Sequence, residues 1–548
     1  MLGGGGREEA RGAALDRGAA AGMLARAVAG EKDAEGKDAA EDAGEAERAS
    51  GSADATEGAD ATEGADAADD ADAIDDAVET DAESSGASTN AATPTARGGR
   101  RWLAPLLVYL VCVAAYSLTL GDRLTETSPD NHYAHLAHSW LNGQLHLVGD
   151  PPGTNDWACY DVETGEMCPN GRFSFPDRER YRWYVSFPPF PAAVMLPAVA
   201  ALGVDLPDRL FWAWVAGLGP MLLFVLLRRF RETGRSGRTR REDLVLTALF
   251  AFGSVFYFVA VQGTVWFAAH VVAVPLIVLY LLWGTDVRRP VLAGIALGCC
   301  FLTRPTTALL AIYFGVEALR AARAADAPPI DAAALWPTRL RQWLAGVVWK
   351  DALRSVALFS APILVVGAIA MWHNAARFDD PFEWGHTYLQ IRWRGRIETW
   401  GLFNYHYLGR NLGIFGASLP WLSGEAPYVT ISRHGLALWV TTPGLLLALW
   451  PKRTSATMVA LWMALIPVAL LNLTYQNSGW VQFGYRFGLD YLPLLFALLA
   501  LGRRRFGPGF ALLLIWSVAV NAFGAFTFDR AWQYYDRDPT QQVYFQPD

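Results

Sequence analysis

Residues 128–147 (SPDNHYAHLAHSWLNGQLHL) place a carboxylate at the start of a predicted helix. Ser-Pro is a turn signal, Asp130 follows it, and Asn142-Gly143 ends the helical pattern. A carboxylate held at a helix N-terminus is kept in its ionised form and can act as a general base. The alternative is that Asp130 only caps the helix that follows. We take Asp130 as the first candidate for chemistry.

Three arginines in or beside apolar segments could bind an anion. A guanidinium can engage two phosphate oxygens at once, which suits a phosphate leaving group. Arg486, Arg304 and Arg377 are the candidates, in that order. Each has a structural alternative: Arg486 could pair with Asp490 four residues later, Arg304 could hold a hairpin together, and Arg377 could anchor a helix at headgroup level.

Histidines and cysteines in the first outer loop raise two further possibilities. His132, His135 and His138 recur at helical spacing, which could hold a metal but also fits a polar, aromatic interfacial face. We predict no metal. Cys159 and Cys168 flank DVETGEM in a segment predicted to lie outside the cytoplasm, where such a pair oxidises, so we predict a disulfide. The remaining cysteines lie in apolar runs and are interpreted as packing residues.

Long apolar runs must position these residues, and they predict an all-α polytopic membrane protein. A run of about 20 apolar residues can cross a bilayer core of about 30 Å. Nine runs are predicted to cross: 102–120, 209–227, 244–260, 267–283, 355–372, 436–450, 456–473, 489–501 and 510–526. Residues 291–319, broken at Arg304-Pro305, are too short for two crossings and predict a re-entrant hairpin.

Basic residues set the predicted orientation. Arginines before residue 102 and the seven arginines in 228–241 belong in the cytoplasm by the positive-inside rule. Keeping both groups inside requires that the proline-rich run 187–203 does not cross. The N-terminus is then cytoplasmic, and the outer loops are residues 121–186 and 373–434.

The N-terminal region differs from the rest of the chain. Residues 1–98 hold 24 acidic and 8 basic residues, almost no aromatic ones, and a tandem ATEGAD repeat. Such a segment cannot bury enough apolar surface to fold, so we predict a disordered acidic tail, either a solvated spacer or a docking segment. The membrane domain is predicted to cover 99–530, with a polar tail at 531–548.

Five motifs, taken in order, resemble the multi-pass GT-C glycosyltransferases. They are SPDNHYAHLAHSWLNGQL, WYVSFPPFPAAVMLP, GIALGCCFLTRPTTALL, HNAARFDDPF and WVQFGYRFGLDYLP. The similar enzymes are bacterial relatives of protein O-mannosyltransferases and of the lipid A aminoarabinose transferase. In that family an acid in the first outer loop is the catalytic base, and Asp130 stands at this position. Many relatives have two adjacent acids there, whereas this chain has Asn131.

The resemblance implies an inverting transfer from a polyprenyl-phosphate sugar on the extracytoplasmic face of a bacterial plasma membrane. The acceptor would be an envelope glycan, lipid or protein, with no cofactor and no nucleic acid. Arg486, Arg304 and Arg377 would bind the donor phosphate. Residues expected near the sugar or acceptor are Asn131, His132, Gln482 and Tyr485.

Two other classes of function fit the same pattern. A transporter or flippase of lipid-linked sugars would also need intramembrane arginines and a polar cavity, although we find no inverted repeat. A non-catalytic membrane scaffold with the same fold is the second alternative. A carboxylate in a long first outer loop favours the enzyme.

Overall fold

The computed structural model describes residues 97–391 and 393–535. These residues are mainly helical, with two small sheets. The predicted acidic tail, apart from its last two residues, and residues 536–548 lie outside the described residues.

Seventeen α-helices carry labels here. In chain order they are α1 Arg97–Leu120, α2 His132–Leu141, α3 Phe190–Leu202, α4 Asp208–Glu232, α5 Arg240–Phe252, α6 Phe256–Ala260, α7 Val265–Gly284, α8 Pro290–Phe301, α9 Ala311–Ala321, α10 Trp336–Ala345, α11 Trp349–Phe378, α12 Arg394–Trp400, α13 Leu408–Ala417, α14 Leu438–Thr441, α15 Ala456–Leu473, α16 Leu492–Leu501 and α17 Pro508–Thr527. The strands are β1 Trp157–Asp161, β2 Glu166–Met167, β3 Tyr181–Val185, β4 Trp421–Leu422 and β5 Val429–Thr430.

Six of these helices are long and apolar enough to cross a membrane: α1, α4, α7, α11, α15 and α17. The other three predicted crossings are short or broken. Residues 244–260 divide into α5 and α6 around Gly253 and Ser254, and residues 436–450 form α14 and a 3₁₀ segment that begins at Pro443. Helix α16 has ten residues, about 15 Å of helix. The count of nine therefore stays a prediction.

The interrupted run 291–319 forms the predicted hairpin. Helix α8 ends at Phe301, the chain turns through Arg304, and a 3₁₀ segment Pro305–Leu310 leads into α9. Helix α8 packs so closely on α11 that a Cβ atom at Gly294 would collide with the carbonyl group of Phe359. Small residues allow this close approach of helix backbones in membranes.

Basic loops gather at one end of the helical bundle. Asp286, after α7, accepts hydrogen bonds from Arg235 and from Arg320. Arg503 donates to the carbonyl group of Gly234, 3.2 Å away. The loops after α4, α7, α9 and α16 therefore meet there, as the charge pattern predicted.

Helix α3 has both of its ends at the opposite end of the bundle. Its first N–H, from Phe190, donates to the carbonyl group of Leu302 in the hairpin turn, 3.0 Å away. Just after its last residue, the carbonyl group of Val204 accepts from the side chain of Asn131 at 3.0 Å. Thirteen residues reach only about 20 Å. The structure therefore agrees with the prediction that the proline-rich run does not cross.

The first outer loop folds into a three-stranded antiparallel sheet in the order β2-β1-β3. Trp157 pairs with Val185 and Cys159 with Trp183, which fixes the register. The sulfur atoms of Cys159 and Cys168 are bonded, so the predicted disulfide is confirmed. The sheet holds the segment before β1, which contains Asp156, against the membrane helices.

Candidate active site

A cavity of about 270 Å³ opens at the end of the bundle opposite the basic loops. Its wall comes from the first outer loop, the start of α7, the hairpin turn, the second outer loop and the segment after α15. The aromatic residues of the wall are Tyr133, Phe187, Trp266, Trp384, Trp393, Phe403, Tyr475 and Phe487. The ionisable and amide side chains are Asp156, Arg304, His386, Asn472, Gln476, Asn477 and Arg486.

Arg486 lies in the cavity wall and is 4% exposed. Its Nη1 donates to the carbonyl groups of Gly479 and Val481, at 2.6 and 3.0 Å. Its Nε is buried and has no hydrogen-bond partner among the described residues. Among the same residues, no carboxylate oxygen lies within 4 Å of the Arg486 guanidinium. Burial and the nearby charge of Arg304 lower the pKa of Arg486 to about 9, so it remains charged at pH 7. The expected alternative, a pair with Asp490, does not form.

Arg304, and not Arg486, is the arginine that pairs with Asp490. Its Nε and Nη2 donate to the two carboxylate oxygens of Asp490 at 3.0 and 2.8 Å. Thr306 and Asn472 also donate to Asp490, at 2.9 and 3.0 Å. The hairpin turn is thereby tied to the segment before α16. Arg304 is in the cavity wall as predicted, but most of its charge is already balanced.

Two carboxylates stand near one another on the first outer loop. Asp156 lines the cavity and accepts a hydrogen bond from the indole N–H of Trp266 at 2.8 Å. Asp130 is half-buried and does not line the cavity; its backbone carbonyl group accepts from Val265 N–H at 3.0 Å. In the sequence, the residue next to Asp130 is Asn131 and not a second acid. In the folded loop, Asp156 supplies a second acid near Asp130.

The pKa of each acid is raised. Burial is the main cause for Asp130, the charge of Asp156 adds to it, and together they bring the pKa of Asp130 to about 6. Burial also raises the pKa of Asp156, against the Trp266 N–H and the charge of Arg486, which lower it. The expectation that the helix N-terminus would favour ionised Asp130 is wrong in direction. Asn131 occupies the N-cap position, and desolvation of Asp130 outweighs the helix dipole.

Neither Asn131 nor His132 belongs to the cavity wall. The Nε2 atom of His132 lies 2.9 Å from the carbonyl oxygen of Asn155, and its ring stacks on Trp157 with 3.8 Å between centroids. Burial lowers the pKa of His132 to about 4, so the ring is neutral. His132 therefore supports the loop that carries Asp156, and the Asn131 side chain donates to the carbonyl group of Val204 after α3. Neither faces the cavity, where a contact with a sugar or acceptor was expected.

Gln482 and Tyr485 are fully buried and also lie outside the cavity wall. Gln482 donates to the carbonyl groups of His434 and Ser478 and accepts from the backbone N–H of Arg486 at 2.9 Å. Its amide thus shapes the turn that carries Arg486. The ring of Tyr485 packs against Phe415 and Phe487.

Arg377 lies apart from the cavity, at the end of α11. It is 3% exposed, and its Nη1 donates to the carbonyl group of Val185 at 2.8 Å, while Nη2 donates to the Asn374 side chain at 2.8 Å. Its Nε bonds within its own helix. Arg377 therefore joins a membrane helix to β3. This role differs from the predicted one, which was to bind the phosphate of the sugar donor.

The sequence did not single out several residues of the cavity wall. Tyr133 and Gln476 are 2% and 4% exposed, and the Tyr133 hydroxyl group and the Gln476 Oε1 atom have no hydrogen-bond partner among the described residues. Buried polar atoms are normally bonded, so these two mark places for a ligand or water. Asp156 carried one usable signal, an Asn-Asp pair directly before a strand.

Within the described ranges, no group of three or more His, Cys, Asp or Glu side chains is placed to hold a metal ion. The expected absence of a metal and of a cofactor stays a prediction.

Comparisons with known proteins give structural neighbours. No family model and no curated protein matches the chain. The fold is similar to the crystal structure of ArnT from Cupriavidus metallidurans bound to undecaprenyl phosphate, with 13% identity, a TM-score of 0.41, and coverage of 77% of this chain and 64% of that one. It is also similar to the oligosaccharyltransferase AglB from Archaeoglobus fulgidus in complex with an inhibitory peptide and a dolichol-phosphate, with 12% identity, a TM-score of 0.38, and coverage of 82% and 58%. The chain therefore spans less than two thirds of either neighbour.

Proposed function

We propose that this chain is a membrane glycosyltransferase that moves a sugar from a polyprenyl-phosphate donor to an acceptor hydroxyl group. The observation that carries the proposal is that one aromatic cavity contains both Arg486, which has no carboxylate partner among the described residues, and the carboxylate of Asp156. A buried charge without a counter-ion is costly, so Arg486 suits an anionic ligand. The aromatic wall suits the apolar faces of a sugar ring.

The two arginines offer different contacts to a phosphate. Among the described residues, Nε and Nη2 of Arg486 are left to donate after Nη1 has bonded to the backbone. Arg304 has Nη1 left to donate, because Asp490 holds its other two nitrogens. Charge developing on a departing phosphate is stabilised by such fixed donors. We assign Arg486 as the main contact to the phosphate of the sugar donor and Arg304 as the second contact.

The acid pair supplies the base. In an inverting transfer the acceptor oxygen bonds to the anomeric carbon while the bond from that carbon to the phosphate oxygen breaks. A carboxylate takes the hydroxyl proton and the phosphate keeps the electron pair. Asp156 lies on the cavity wall and Asp130 stands beside it, so the base belongs to this pair. Asp130 remains our candidate from the sequence, and Asp156 is added by the structure.

Incubation of the purified protein in nanodiscs with a panel of polyprenyl-phosphate sugars tests the proposal. We expect hydrolysis or transfer of at least one sugar by mass spectrometry, lost in a variant that carries both Asp130→Asn and Asp156→Asn. An Arg178→Gln variant, changed at an exposed residue of the same loop, is the matched control. In sealed vesicles that contain the protein, movement of a lipid-linked sugar between leaflets with every sugar still attached would overturn the enzyme and support the transporter.

A further inference from the structure

Residues 322–348 leave the bundle and return to it at its basic end. The backbone N–H of Ala324 donates to the carbonyl group of Gly346, and that of Val348 to the carbonyl group of Ala322, both at 2.9 Å. These bonds close the base of the excursion between α9 and α11. Arg320, at the end of α9, pairs with Asp286 at the same end of the bundle. The excursion is therefore fixed beside the basic loops.

Helix α10 lies within this excursion, and none of its residues is buried. Trp336, Leu340, Trp343 and Leu344 recur at the spacing of one helix face. Trp336 is 75% exposed and Leu340 46%. An exposed apolar helix face of this kind marks a surface that contacts another protein or a membrane.

Basic residues flank the apolar face of α10. Residues 335–350 contain Arg339, Arg341 and Lys350 and no acidic residue. The nearest acids in the chain are Asp351, just after this segment, and Asp331, whose backbone N–H donates to the side chain of Gln342 on the other side of the helix. At 100° per residue the two arginines fall on either side of the apolar face. Basic residues that flank an apolar face with tryptophan are typical of helices that lie in a membrane interface.

The depth of α10 relative to the bilayer fits a helix that lies in the membrane interface. Helix α11 starts at Trp349, directly after the excursion, and its 30 residues extend about 45 Å, more than the bilayer core. Its first two turns contain the charged residues Lys350, Asp351 and Arg354, so its start lies in the headgroup region. The backbone bonds at Ala324 and Val348 hold α10 beside that start. Tryptophan side chains are concentrated at this level of a bilayer.

We propose that α10 is a surface-parallel anchor that binds acidic phospholipids of the leaflet at the basic end of the bundle. Its tryptophan and leucine side chains enter the interface, and Arg339 and Arg341 contact anionic headgroups. The proposal is independent of the glycosyltransferase assignment, because no residue of α10 belongs to the cavity wall.

Cysteine accessibility in nanodiscs tests this anchor. Leu340→Cys and Thr338→Cys, the latter at an exposed residue on the opposite side of α10, are prepared in the full chain with Cys112, Cys299 and Cys300 replaced by alanine, and are labelled with a water-soluble maleimide. In nanodiscs that contain phosphatidylglycerol we expect Leu340→Cys to react about tenfold more slowly than Thr338→Cys. In pure phosphatidylcholine the difference should shrink.

A second variant separates the lipid charge from folding. In the Leu340→Cys background, a double change of Arg339→Gln and Lys350→Gln should remove the effect of phosphatidylglycerol, whereas Arg178→Gln, on the outer loop, should leave it unchanged. Equal labelling of the two cysteines in both lipids, or protection that does not depend on phosphatidylglycerol, overturns the proposal.

Discussion

Arg304 and Asp490 form a two-point ion pair between the hairpin turn and the segment before α16, with N–O distances of 3.0 and 2.8 Å. The two residues are 186 positions apart in the chain. Asp490 is fully buried, and Arg304 reaches the cavity. One pair therefore closes the hairpin and fixes the direction of an arginine in the candidate site.

Asp490→Asn should destabilise the protein by roughly 3–5 kcal/mol, because it leaves the mostly buried Arg304 without a counter-ion. The double variant Arg304→Met/Asp490→Leu removes both charges and should lose less stability than Asp490→Asn alone. Unfolding midpoints in detergent measure both. If the double variant lost as much stability as the separate variants Arg304→Met and Asp490→Leu added together, the pair would not be coupled.

Arg486→Lys should weaken donor binding, since lysine keeps the charge but loses the fork that bonds to the backbone on one side and to the ligand on the other. Arg486→Ala should weaken binding further. Arg377→Lys is the matched control, because Arg377 is equally buried and outside the cavity wall. It should lower stability and leave the affinity for polyprenyl phosphate, measured by calorimetry, near that of the parent. Unchanged affinity in Arg486→Ala would leave that residue a purely structural role.

The activity of the enzyme should rise with pH through about 6, because a base must be deprotonated and the pKa of Asp130 is raised to about 6. Below that pH the carboxyl group is protonated and turnover falls. Replacement of the base by asparagine should lower the rate by roughly 10²–10⁴-fold. The pH–rate profiles of Asp130→Asn and Asp156→Asn identify the base.

If Asp130 is the base, Asp156→Asn retains activity and its acid limb moves to lower pH, because removal of a neighbouring negative charge lowers the pKa of Asp130. Near-full transfer by both single variants, with an unchanged acid limb, would place the base elsewhere.

Loss of the Cys159–Cys168 disulfide should lower the free energy of unfolding by roughly 2–3 kcal/mol on the loop-entropy model. Cys159→Ser/Cys168→Ser and treatment with a reductant should have the same effect, and the reductant should not affect the double variant further. Cys299→Ser, a free thiol on α8, is the control. Mass spectrometry that finds both thiols free in protein from its native membrane would contradict the pairing.

Labelling from either side of the membrane should find Arg241→Cys accessible from the cytoplasm and Ser423→Cys from outside. Both positions are exposed, one in the first turn of α5 at the basic end and the other in the second outer loop. The positive-inside rule assigns the arginine-rich end to the cytoplasm. Access of both from one side would require a different number of crossings.

The sequence by itself determined the membrane class, the hairpin at Arg304-Pro305, the disulfide and the gathering of basic loops at one end. Those features depend on local quantities: the length of apolar runs, a proline that interrupts a helix, and the sign of charge in a loop. A chain must bury apolar runs in a bilayer and keep arginine clusters out of it, whatever its tertiary packing.

Only the tertiary structure decided which charged residues meet. Arg304, and not the nearby Arg486, pairs with Asp490, and the acid that lines the cavity is Asp156, 26 positions after Asp130 in the chain. Spacing along a sequence predicts contacts within one helix, but residues 486–490 form a tight 3₁₀ turn that separates Arg486 from Asp490. Partners across the bundle are chosen by packing, because only the folded chain brings a charge such as that of Arg304 within reach of a buried counter-ion 186 positions away.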